Sequence, residues 1–65
     1  MKKKIYSIET NGETIIRTYE DIADAISFAL SSMTDVEFYN NREESEGWFK
    51  TSAYGYTIEI TELKF

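Results

Sequence analysis

The chain has 65 residues and carries no cysteine, no histidine and no proline. That excludes disulfides, the usual zinc and transition-metal sites, the commonest general base and the thiol nucleophile. Seven basic residues stand against twelve acidic ones, a net charge of −5, and without Lys2, Lys3 and Lys4 the balance is four against twelve, or −8.

A chain of this length makes one domain, residues 1–65. Small domains bury a modest fraction of their surface, so packing or self-association must supply the stability that disulfides and metals cannot. An acidic body repels nucleic acid phosphates and attracts a basic protein surface, although acidity also serves solubility alone. Met1 and the three lysines resemble a signal-peptide start, but IYSIETNGE offers no apolar run to continue one. No stretch reaches membrane-spanning length, so a cytoplasmic protein without a membrane partner is expected.

Residues 3–19, KKIYSIETNGETIIRTY, predict a β-hairpin around Asn11-Gly12. A two-residue turn sets Thr10 opposite Glu13, Ile8 opposite Ile15, Ser7 opposite Ile16 and Tyr6 opposite Arg17. Tyr6, Ile8, Ile15 and Tyr19 then share one face, and Ile5 and Ile16 the other.

Residues 18–33, TYEDIADAISFALSSM, predict a helix, with Thr18 as N-cap and Asp21 in a capping-box position. Ile22, Ala25, Ile26, Ala29, Leu30 and Met33 fall at helical spacing and form an apolar stripe, with Phe28 off its centre. Glu20, Asp21 and Asp24 lie near the positive end of the helix dipole.

Residues 35–40, DVEFYN, alternate as a strand does, with Val36 and Phe38 on one face. Residues 54–63, YGYTIEITEL, alternate as well. The polar run NNREESEG between them reads as a loop. Trp48-Phe49-Lys50 either extends the last strand or forms a short one before a bend at Thr51-Ser52. The expected fold is therefore α+β: a single β-β-α-β-β domain, a four-stranded antiparallel sheet with one helix packed on one face. The helix stripe should cover Ile8, Ile15, Val36 or Phe38, Ile58 and Ile60.

The inventory for chemistry is poor. There is no nucleophile elbow, no phosphate-binding glycine loop and no dinucleotide fingerprint. The carboxylates Glu43, Glu44 and Glu46 do not match a calcium-loop spacing. Neither catalysis nor a cofactor nor a metal is expected. Ten aromatic residues are present, but no basic face accompanies them, so direct nucleic-acid binding is not expected either.

Protein binding fits the residues better. Tyr39, Trp48, Phe49 and Tyr54 flank the acidic loop, and large aromatics make strong interface anchors. Core packing is the competing role, and for Trp48 and Phe49 both readings stand. One helix covers one sheet face, leaving Ile5, Ile16, Tyr39, Leu63 and Phe65 expected on the other, where a partner or a homodimer would cover them.

The acidic helix start YEDIAD, the acidic loop REESE and the missing catalytic residues give the chain a general likeness to small acidic proteins of phages and mobile elements. In character it resembles anti-CRISPR and related inhibitors of host defence, which often present carboxylates where phosphates would sit. The likeness implies a non-enzymatic inhibitor of a defence or nucleic-acid-handling protein. On that reading Glu20, Asp21, Asp24, Glu43, Glu44 and Glu46 supply charge, and Tyr39, Trp48, Phe49 and Tyr54 supply contact. The alternative is a small structural module that dimerises through its outer sheet face.

Overall fold

A computed structural model describes residues 3–31 and 36–64 of the chain. Two hairpin strands come first, β1 (Lys4–Thr10) and β2 (Glu13–Tyr19). Helix α1 (Ile22–Leu30) and the single turn α2 (Glu37–Asn40) follow. Three strands close the chain: β3 (Glu43–Ser45), β4 (Trp48–Ala53) and β5 (Tyr56–Leu63). The strands form one sheet in the order β2-β1-β5-β4-β3, antiparallel throughout. The architecture is α+β, as expected, but the sheet has five strands rather than four.

The first hairpin follows its turn chemistry. Asn11 and Gly12 take φ of 39° and 93°, the left-handed pair that a two-residue hairpin turn demands. The register is the expected one, from Thr10 opposite Glu13 to Tyr6 opposite Arg17. The β4–β5 hairpin repeats the geometry at Tyr54 and Gly55, with φ of 55° and 78°. Asn11 ties the two turns together, since its Oδ1 accepts the Thr57 N–H at 2.9 Å. The last strand thus begins at Tyr56, and the bend expected at Thr51-Ser52 is absent because β4 runs straight on to Ala53.

Helix α1 starts later than the expected Thr18. Thr18 is still paired with Ile5 in the ladder, so its backbone belongs to β2. The cap is Asp21, whose carboxylate accepts the Asp24 N–H at 3.2 Å. The apolar stripe packs as predicted: Ala25 and Leu30 are buried, and Ile22, Ile26 and Ala29 lie against the core. Met33 lies outside the described residues, as do Lys2 and Phe65.

The expected strand at DVEFYN is instead the turn α2, with Asp35 outside the described residues. Tyr39 and Asn40 both donate to the Val36 carbonyl, at 3.0 and 2.9 Å, and Asn41 donates to that of Glu37 at 3.0 Å. Phe38 faces inward, edge-on to Tyr56 with ring centres 6.4 Å apart. Its carbonyl accepts a hydrogen bond from the buried Thr51 hydroxyl on β4. Val36 stays exposed. The supposed loop NNREESEG contributes β3, an edge strand, where Glu44 pairs with Phe49 and Ser45 with Trp48.

The core lies between α1 with α2 and the inner sheet face. Tyr6, Ile8, Phe38, Phe49, Ile58 and Ile60 are its larger members. Full burial of an Ile or Phe side chain is worth about 1.5–3 kcal/mol, so this face dominates the stability. Ile15, expected under the helix, is 38% exposed. It stands on β2 at the sheet edge, whereas α1 lies mainly across β5 and β1. There Arg17 caps the helix side, its guanidinium 4.6 Å from the centre of the Phe28 ring.

Candidate functional site: the open face of the sheet

Strand alternation sends Ile5, Ser7 and Glu9 of β1 to the face opposite the helix. Cross-strand pairing then defines rows on that face. One row runs Ile16, Ser7, Thr61, Trp48 and Ser45. The next runs Thr14, Glu9, Glu59, Lys50 and Glu43. A shorter apolar row joins Ile5 to Leu63. Among the described residues, both helices lie on the other side.

Trp48 is the largest side chain here. It is half-buried, and its indole N–H donates to Glu59 Oε2 at 2.8 Å. Glu59 in turn stands directly opposite Glu9 in the ladder. Like charges directly opposite on neighbouring strands oppose folding, by about 0.2–1 kcal/mol. Lys50, opposite Glu59 on the other side and also opposite Glu43, offsets part of that repulsion. The row is thus carboxylate-rich, with one fixed indole beside it.

The residues singled out from the sequence do not gather at one place. The acidic triplet is divided by the strand it forms: Glu43 faces the open side with Lys50, and Glu44 faces the helix side opposite Phe49. Arg42 holds Glu44 at 3.1 Å and also donates to the Tyr39 carbonyl at 2.6 Å. Glu46 lies in the β3–β4 turn. Glu20, Asp21 and Asp24 sit at the same end of the sheet as that turn, but by the opposite edge strand.

Aromatic residues are likewise separated. Phe49 is 1% exposed and belongs to the core, not to the surface a partner could touch. Trp48, its neighbour, is on the open face. Tyr54 is 76% exposed at the far end of β4, with a left-handed backbone and its ring 6.5 Å from that of Phe38. Tyr39 is exposed, but on α2 rather than on the outer sheet face expected for it.

Glu9, Lys50 and Glu59 share a row on the open face although the sequence reading does not single them out. Their signal was available: the β5 alternation places Glu59 opposite in phase to Ile58 and Ile60. What was missing was the strand order that sets β1 beside β5. Among the described residues, no group of three or more acidic side chains is arranged to hold a metal ion, and no helix is long and apolar enough to cross a membrane. Comparison with protein families, with curated proteins and with solved structures finds no match.

Proposed function

We propose that the protein is a non-enzymatic binding protein whose open sheet face receives a basic surface of a protein partner. The observation that carries this reading is the Glu9–Glu59 pair. Glu9 and Glu59 are directly opposite on neighbouring strands, an arrangement of like charges that opposes folding, and the Trp48 indole donates to the Glu59 carboxylate. An arginine or lysine from a partner relieves that repulsion, and Trp48 gives it a flat apolar neighbour. The acidic balance of the chain adds long-range attraction to the same kind of surface. Inhibition of a nucleic-acid-handling or host-defence protein is the specific role this chemistry suits, because such proteins expose basic grooves for phosphates.

The test is affinity capture with the full chain at low and high salt, followed by titration of each purified partner against Trp48 fluorescence. Trp48 is the only tryptophan, so its emission reports on the open face directly. The expected result is a basic partner that shifts this emission, that weakens with salt, and that is lost with Glu9→Gln plus Glu59→Gln. A partner that leaves Trp48 emission and the double variant unaffected would overturn the assignment of this face.

A further inference from the structure

The two edges of the sheet are built differently. Edge β3 is three residues long, reads Glu-Glu-Ser, and carries the Arg42–Glu44 ion pair. Short, charged edges resist pairing with other strands. Edge β2 has seven residues, reads ETIIRTY, and is exposed along nearly its whole length. It has no proline, and Ile16 is 61% exposed. Among the described residues nothing pairs with its outer side.

The ladder shows which backbone groups are left over. The two-residue turn makes Thr10–Glu13 a hydrogen-bonded pair, and such pairs alternate along an antiparallel ladder. Glu13, Ile15, Arg17 and Tyr19 therefore spend their N–H and C=O groups on β1. Those of Thr14, Ile16 and Thr18 point out of the sheet edge.

We propose that β2 pairs antiparallel with β2 of a second copy of this chain, joining two sheets into one of ten strands. One register satisfies both the hydrogen bonds and the charges. With Ile15 opposite Ile15, Thr14 and Ile16 of the two copies exchange their free backbone bonds. Glu13 of each copy then stands opposite Arg17 of the other, on the helix side of the sheet. Neither residue has an ion pair within the chain among the described residues. Shifting by one step toward the strand's end sets Ile16 against Ile16 and still pairs the free backbone groups, but it leaves Glu13 opposite Tyr19 and Arg17 opposite Ile15, without the two ion pairs. The two-fold register is self-complementary, as an isologous dimer requires. An open depression of about 450 Å3, lined by Ile5, Ile16, Arg17, Thr18 and Tyr19, lies along the same edge. The pairing is made by the backbone edge of β2 and does not depend on the role of the Glu9–Glu59 row.

Single-cysteine variants read the register directly, because the natural chain has no cysteine. Ile15 meets its own symmetry mate at a non-hydrogen-bonded site, where side chains approach most closely. Ile15→Cys is expected to form a disulfide dimer at least about tenfold faster than Ser52→Cys on the open face. Sedimentation of the unmodified chain should show a dimer growing with concentration. Glu13→Arg should raise the dissociation constant about tenfold, and the swap Glu13→Arg with Arg17→Glu should restore it. Circular dichroism confirms that each variant is folded. A strictly monomeric natural chain up to about 1 mM overturns the proposal. So do equal cross-linking rates, or a dimer indifferent to Glu13→Arg.

Discussion

Trp48 and Phe49 are adjacent in the chain and lie on opposite faces of the sheet. Phe49 is 1% exposed beneath the helices, while Trp48 lies on the open face with its indole N–H 2.8 Å from Glu59. Strand alternation makes this separation inevitable once both residues belong to β4. Two neighbouring aromatics therefore have different consequences when removed.

Phe49→Ala should cost about 3–5 kcal/mol, the usual range for emptying a buried phenylalanine site. Trp48→Ala should cost much less and leave the domain folded. Urea denaturation followed by circular dichroism measures both. Equal losses would place Trp48 in the core and remove it from the open-face site.

Glu9→Gln should stabilise the domain by about 0.2–1 kcal/mol, because it removes the like-charge pair with Glu59. The gain should shrink at high salt, which screens exposed charges. Denaturation at two ionic strengths checks it. A destabilised variant would mean that Glu9 makes a favourable contact which the cross-strand pairing does not suggest.

Asp21→Ala should lower stability by about 0.5–2 kcal/mol through loss of the helix cap. Thr18→Ala, at the residue first expected to cap, should change much less, since Thr18 is exposed at the end of β2. Thermal unfolding of the two variants side by side discriminates between the two starts.

Stability should fall in strong base through Tyr6. Burial raises its phenol above the ordinary 10.0, with smaller contributions from Glu62, Asp21 and Asp24. The folded chain then keeps this proton to higher pH than the unfolded chain does. The contribution is complete below about pH 10 and is lost as pH rises through the raised value. Urea denaturation from about pH 9 to about pH 11 should show a steeper decline for the natural chain than for Tyr6→Phe. Parallel declines would mean that Tyr6 ionises alike in both states.

Local chemistry alone determined the first hairpin and the helix stripe. Asn11-Gly12 admits few turns, and that turn fixes the β1–β2 register down to Tyr6 opposite Arg17. Nine residues from Ile22 to Leu30 are long enough for helical spacing to be unambiguous. Residues 36–40 are not: one buried Phe38 suits a strand or a helical turn equally, and its bond from Thr51 on β4, with the ring contact to Tyr56, settles the matter. Glu43–Ser45 is polar enough to read as loop, and becomes a strand only because β4 offers it an edge. Above all, strand order was decided in three dimensions. Placing β5 beside β1 set Glu9 against Glu59 and left β2 at an edge, because the β1–β5 contacts join residues some forty or more positions apart that no local spacing encodes.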